Sequence, residues 1–222
     1  MRRSVYLLVL SLPAIAFAAA CRQQPPQSTR AGDSLSAGLG ARLPTGVRLD
    51  PAAPLATVGP MPLTMRVAPE GDRVVLSLSG YREQGVQVVD ATSGRVLQDL
   101  PQASAFIGLA FSPDGRSLYS SGGNNDVVYR YRWESGRATL DDSVILAPKA
   151  ARAENRRYPS GLAVSPDGRT MYVAENLGDS LAVIDIGAHS VMQRLPVGRY
   201  PYDVVVDKTG TVYVSAWGAN TI

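Results

Sequence analysis

The feature that most limits how this chain can fold is a repeat. Four turn sequences recur: Ala68-Pro69-Glu70-Gly71, Ser112-Pro113-Asp114-Gly115, Ser165-Pro166-Asp167-Gly168 and Asp207-Lys208-Thr209-Gly210. Their glycines are spaced 44, 53 and 42 residues apart. A second series lies between them. VQVVDATSGRVLQDLP (86–101) aligns without a gap to LAVIDIGAHSVMQRLP (181–196), and VYRYRWESGRATL (128–140) keeps the same register through Gly136. The unit is 42 residues, with two extra near Gly80–Gly85 and eleven extra between Gly136 and Gly168. Self-similarity at such a period means that each unit buries its apolar face against the next.

Within a unit the pattern is that of strands. LAVS (162–165) meets a Pro-Asp-Gly turn, then MYVA (171–174), LAVID (181–185) and VMQRLP (191–196) follow. Pro at the second turn position and Gly at its end suit tight turns between antiparallel strands. Thr92-Ser93-Gly94 and Glu134-Ser135-Gly136 supply a second hairpin. No helix-length amphipathic stretch interrupts this. Four short strands per 40–45 residues define a propeller blade. The chain is therefore expected to be all-β, a β-propeller of about four blades over residues 54–222, with seven blades when complete. PLATVGPMP (54–62) matches RLPVGRYP (194–201) and is expected to form an orphan outer strand; SAWGANTI (215–222) matches AENLGDSL (174–181), so the chain is expected to stop as a third strand begins.

Ser-Pro-Asp-Gly-Arg, then Met-Tyr-Val-Ala-Glu-Asn, then Leu-Ala-Val-Ile-Asp, all at constant spacing, resemble the YVTN-type (YncE-like) β-propeller repeat. GYREQGVQVVD, AENLGDSLAVID, RYPYDV and VYVSAWGANTI are similar to the propeller half of bacterial two-part proteins. In those, a metal-dependent, alkaline-phosphatase-like phosphoesterase lies downstream. Propeller lactonases also resemble this fold, and that resemblance implies a constellation of acids, Arg and usually His.

Residues 1–20 read as an address. Arg2 and Arg3 precede an uncharged apolar run, VYLLVLSLPAIAFAAA, interrupted by Pro13 and closing on three alanines. That is the form of a secretory signal peptide. Cys21 follows at once, and AAAC resembles a lipobox. The resemblance implies several acyl chains on Cys21, enough for stable membrane anchoring, and, with Arg22 next, an outer-membrane address on the periplasmic side. Residues 22–53 hold four Pro, four Gly, three Ser and three Gln and no aromatic residue. Such a stretch cannot offset its ordering entropy by burial and reads as a tether.

Composition narrows the chemistry. One Cys rules out a disulfide framework, and one His leaves a Cys/His zinc site without ligands. The net charge of +3 falls to +1 once Arg2 and Arg3 are removed, so nucleic acid is not an indicated partner. No Walker loop, GxGxxG or Gly-x-Ser-x-Gly elbow is present. No metal or other cofactor is expected from these residues.

The candidate site lies on the face of the loops joining the second and third strands and of the crossovers between blades. Both departures from the 42-residue period map there. Tyr81, Arg82 and Glu83 sit in one such loop; Asn125 and Asp126, and Asn176 and Asp179, sit in the next two. Arg157-Tyr158-Pro159 recurs as Arg199-Tyr200-Pro201, 42 residues on. One reading is a site for an anionic or sugar-like ligand or an acidic partner. The other is architectural: Tyr-Pro packs between blades, and Asn and Asp make loop turns and side-chain-to-backbone bonds. His189 occupies the Gly94 position on the opposite face, which weighs against catalysis there. The expected function is a lipid-anchored, cell-envelope binding module for a small molecule or protein. The alternatives are the front half of a metal-dependent phosphoesterase or a lactonase-like hydrolase.

Overall fold

A computed structural model describes residues 56–147 and 156–219, together with Thr45. The chain divides into Met1–Asp50 and Pro51–Ile222, and among the described residues every strand lies in the second unit. The expected signal segment, Cys21 and most of the tether fall outside the described residues. Among the described residues no helix is long and apolar enough to cross a membrane.

Three four-stranded antiparallel sheets follow one another. Blade 1 is β1 (Pro62–Val67), β2 (Arg73–Ser79), β3 (Gln84–Asp90) and β4 (Val96–Pro101). Blade 2 is β5 (Leu109–Phe111), β6 (Ser117–Ser121), β7 (Val127–Glu134) and β8 (Arg137–Ile145). Blade 3 is β9 (Pro159–Val164), β10 (Thr170–Glu175), β11 (Ser180–Asp185) and β12 (Ser190–Pro196). A two-stranded pair, β13 (Pro201–Val206) and β14 (Val212–Ala216), begins a fourth. The first strands β1, β5, β9 and β13 neighbour one another in order and form the inner wall from which the blades extend. The fold is a partial β-propeller. Its described residues form three full blades and half of a fourth, in line with about four.

Turn chemistry explains the regular strand pairing. In the turn after β5, the Gly115 N–H donates to the Ser112 carbonyl at 2.9 Å, and Gly115 takes φ +70°, which only glycine adopts without strain. Ser112 Oγ donates to Asp114 Oδ1 at 2.6 Å and the Arg116 N–H donates to the same oxygen at 3.0 Å. The Ser112 hydrogen bond is the main reason the Asp114 carboxyl titrates below its ordinary value. Ser165, Asp167 and Arg169 repeat this clasp after β9. In the third-to-fourth strand turns, Gly94 and Gly136 adopt φ +68° and +72°, and His189 adopts +52° at the matching position.

Burial lies between blades. Val75, Val86 and Val88 of blade 1 pack on Leu109, Leu118, Tyr131 and Trp133 of blade 2. Tyr119, Val128 and Val144 of blade 2 pack on Leu162, Met171, Val173 and Ile184 of blade 3. Ala174 and Leu181 meet Val204 of the fourth pair. Each such Val, Leu or Ile, fully buried, contributes about 1.5–3 kcal/mol. Polar contacts set the register across the seams. Trp133 Nε1 donates to both Glu70 carboxylate oxygens at 3.0 Å, and Gln98 exchanges two hydrogen bonds with the backbone of Ala138.

Residues 56–61 form no strand, which corrects the expected outer strand over 54–62; residues 54 and 55 lie outside the described residues. Thr57–Pro62 match Pro196–Pro201 without a gap, and β12 ends at Pro196. The segment is thus a crossover. Val58 packs on Leu76, Leu78 and Val89 as Val197 packs on its own cluster, and the Gly59 N–H donates to Gln87 Oε1 at 3.0 Å.

Candidate functional site

The crossovers are clasped by the loops of the preceding blade. Gly123–Asn125 and Asn176–Gly178 each form one 3-10 turn, ending on Asp126 (φ +54°) and Asp179 (φ +49°). Asp tolerates this left-handed conformation better than most residues. Asp126 Oδ1 accepts the N–H groups of Arg157 and Tyr158 at 2.9 and 2.8 Å, and Asp179 Oδ1 accepts the Tyr200 N–H at 3.0 Å. These bonds hold Tyr158 at φ +51° and Tyr200 at φ +54°, each just before the proline that opens the next inner strand. Met61 does the same before Pro62, at φ +52°. A strained conformation recurring in three of four crossovers is architectural.

The aromatic side chains are less regular. The Tyr158 ring meets Phe106 edge-on at 5.2 Å between centroids, Phe106 meets Tyr202 at 6.0 Å, and Tyr202 meets Trp217 at 6.0 Å. These four rings come from blades 2, 3 and 4 and lie at the start of the inner strands or beside them. Burial raises the Tyr158 phenol above its ordinary pKa. Trp217 is 76% exposed. Sequence reasoning found Tyr158 and missed Phe106, Tyr202 and Trp217, because these occupy different repeat positions.

A buried charge lies beside this arc. The Glu175 carboxylate is fully buried, and its sister positions are Gly122 and Ala216. It accepts Arg194 Nε at 3.1 and 2.9 Å and Ser180 Oγ at 2.7 Å; Arg157 Nη1 stands 3.9 Å away. Arg194 Nη2 also donates to the Leu146 carbonyl of blade 2 at 2.6 Å, so the cluster bridges a seam.

The other expected residues are dispersed. Asn125 Nδ2 donates to Tyr129 OH at 3.0 Å, and Asn176 Nδ2 donates to the Pro201 carbonyl at 3.0 Å. Arg199 stacks over its neighbour Tyr200 at 5.2 Å. Tyr81 is 96% exposed in the loop between β2 and β3, and Arg82 and Glu83 border a cleft of about 360 Å³ with Gly59, Leu78 and Gln87. None of the four rings of the arc borders that cleft. On the opposite face His189 Nδ1 lies 2.6 Å from Asp142 Oδ2 of blade 2. Among the described residues no three His, Cys, Asp or Glu side chains group as metal ligands.

The sequence model of the lactonase family, a seven-bladed β-propeller, matches residues 108–220, just over half of the chain. The chain belongs to the lactonase-type propeller family. The match begins at Gly108, beside Phe106, and extends over blades 2 and 3 and the pair β13–β14. Among solved structures, this lactonase-family chain is similar to a protein of unknown function from Desulfotomaculum acetoxidans, with 18% identity, TM-score 0.57, and 70% of this chain and 49% of that one covered. It is also similar to a protein provisionally described as a 6-phosphogluconolactonase from Bacteroides uniformis, with 16% identity, TM-score 0.57, and 80% and 56% covered. A third is hydrazine synthase from Kuenenia stuttgartiensis, with 22% identity, TM-score 0.51, and 73% and 43% covered. At these identities the likeness is one of fold. The chain spans about half the length of the structures it matches. No curated protein sequence matches it significantly.

Proposed function

We propose that the crossover face binds a small, ring-shaped, hydroxylated and anionic molecule of the sugar-lactone type. The observation that carries this reading is the arc of four rings, Tyr158, Phe106, Tyr202 and Trp217, gathered from three blades beside the inner wall. Aromatic faces suit the apolar faces of a sugar ring, and a few placed polar groups fix its orientation. Arg199, whose carbonyl accepts the Gly218 N–H next to Trp217, and Arg157, next to Tyr158 and shared with Glu175, supply positive charge for a carboxylate or phosphate. In the intact protein this site serves a binding module of the cell envelope, held at the membrane through acylated Cys21.

A second reading, hydrolysis of the lactone, is favoured by the family match over residues 108–220 and by the description of the Bacteroides uniformis neighbour. Both are tested by calorimetric titration of the intact protein with glucono-1,5-lactone and its 6-phosphate, followed by base uptake at constant pH. The binding reading expects a dissociation constant of about 1 mM or tighter, weakened for the phosphate by Arg157→Ala with Arg199→Ala. No saturable binding of either compound would overturn it. Binding without enzyme-dependent base uptake would remove the hydrolytic reading alone. The anchor is tested separately: labelled palmitate should enter the unaltered protein and not Cys21→Ser.

A further inference from the structure

We infer that the Tyr158 phenol reads the hydroxyl groups of a ligand at the aromatic arc and that Phe106 turns it there, an inference that rests on the sugar-ring reading of that site. The repeat separates what the architecture needs from what it does not. Tyr158 and Tyr200 stand at one repeat position. Their backbones are held alike, by Asp126 and Asp179, at φ +51° and +54°. Met61 keeps the same backbone at the entry to blade 1. The position therefore requires neither a ring nor a phenol.

The two side chains are used differently, and the residue across the seam accounts for it. Phe106 stands where the other three inner strands open on Pro62, Pro159 and Pro201. Its N–H donates to the Ser121 carbonyl at 3.2 Å, a bond that proline cannot make. Tyr158 turns onto the Phe106 ring, edge-on at 5.2 Å, and is half-buried. The two face each other across the seam of blades 2 and 3, both of which have all four strands. Tyr200 meets Pro159 at the corresponding place. Its ring lies instead under its own Arg199 and is 39% exposed, and its phenol oxygen accepts Arg199 Nη2 at 3.4 Å. The Tyr131 phenol accepts Gln102 Nε2 at 2.8 Å, and the Tyr129 phenol accepts Asn125 Nδ2 at 3.0 Å. Among the described residues the Tyr158 phenol has no such partner. Burial alone holds its pKa up, with no hydrogen bond opposing it as the one from Gln102 does at Tyr131. A half-buried phenol both donates and accepts, and it gains from a group that does the same. A sugar hydroxyl does so, whereas a lactone carbonyl only accepts. Phe106 thus positions Tyr158, and Tyr158 separates a hydroxylated ring from a bare one of the same size.

The test compares glucono-1,5-lactone with δ-valerolactone, the same six-membered lactone without hydroxyls, by titration of the full-length protein. The unaltered protein should prefer the hydroxylated lactone. Tyr158→Phe keeps the ring and should melt close to the unaltered protein. It should lower the preference about fivefold, the scale of one neutral hydrogen bond, and leave δ-valerolactone binding unchanged. Phe106→Ala removes the ring that turns Tyr158 inward. In that variant the Tyr158 phenol should ionise nearer its ordinary value by ultraviolet titration, and the preference should fall as in Tyr158→Phe. No preference in the unaltered protein, an unchanged preference in Tyr158→Phe, or equal weakening of both lactones would overturn the role of Tyr158 while the ring reading stands. Late ionisation of Tyr158 that persists in Phe106→Ala would overturn the positioning role of Phe106. Failure of the unaltered protein to bind either lactone would overturn this inference and the ring reading together.

Discussion

Replacing Asp126 tests whether the loop carboxylates hold the crossovers in place. The buried Asp126 Oδ1 accepts two backbone N–H groups, of Arg157 and Tyr158, at 2.9 and 2.8 Å. Each bond to a charged acceptor is worth roughly 1.5–3 kcal/mol. Asp126→Ala removes both and puts Ala at φ +54°, a conformation costing a further 1 kcal/mol or so relative to Asp. Taking the low end for each bond, the crossover should then open more easily by about 4 kcal/mol. Asp126→Asn keeps an acceptor oxygen and a residue that tolerates the left-handed region, so about 1 kcal/mol is expected. Amide hydrogen exchange at Tyr158 reads the difference directly: roughly a thousandfold faster in Asp126→Ala, and less than about tenfold in Asp126→Asn. Unchanged exchange in Asp126→Ala would refute the clasp. Equal acceleration in both variants would show that the charge, rather than the acceptor geometry, holds the crossover.

Four further outcomes follow from the contacts described above. Gly161→Ala should destabilise the protein by about 1–3 kcal/mol in urea, because the new Cβ meets the Asp203 backbone of the next blade and cannot be relieved by a side-chain rotation. Gly71→Ala, with open space around it, should cost only the left-handed penalty of about 1 kcal/mol. Arg194→Met should cost about 3 kcal/mol, since the fully buried Glu175 is left with Ser180 and an Arg157 3.9 Å away; adding Glu175→Gln should recover much of that loss, measured by the urea midpoint. Burial pushes the Tyr131 phenol up to about 12, against its hydrogen bond from Gln102. A raised pKa means that stability is complete below pH 10 and is lost as pH rises towards 12. Ultraviolet titration should show Tyr119, Tyr131 and Tyr158 all ionising late, and the component near pH 12 should be absent in Tyr131→Phe.

The repeat made most of the fold legible. Pro-Asp-Gly at fixed spacing sets the first turn of each blade, and Gly94 and Gly136 mark the third-to-fourth strand turns where His189 stands with the same positive φ. Residues 57–62 were readable only in part. Their likeness to 196–201 is real, but it places them after the outer strand, on the crossover that ends at Met61-Pro62. The site was harder to read, because periodicity reports what blades share. It pointed to Asp126 and Asp179, which bind backbone, and to Tyr158 and Tyr200, which share a backbone conformation. Phe106, Tyr202 and Trp217 meet only in space, since each comes from a different repeat position. One sequence signal for such residues exists: a departure from the repeat at a position where sister blades are small. Glu175 against Gly122 and Ala216 carries it.

The most direct test of the ligand reading uses the chain's own tryptophans. Trp133 is buried with its Nε1 bonded to Glu70, whereas Trp217 is exposed at the end of the arc. Titration with glucono-1,5-lactone should therefore change the emission of Trp217 saturably, and the change should vanish in Trp217→Phe. Emission that stays constant, or that changes equally in Trp217→Phe, would contradict a ring-binding site at the crossover face.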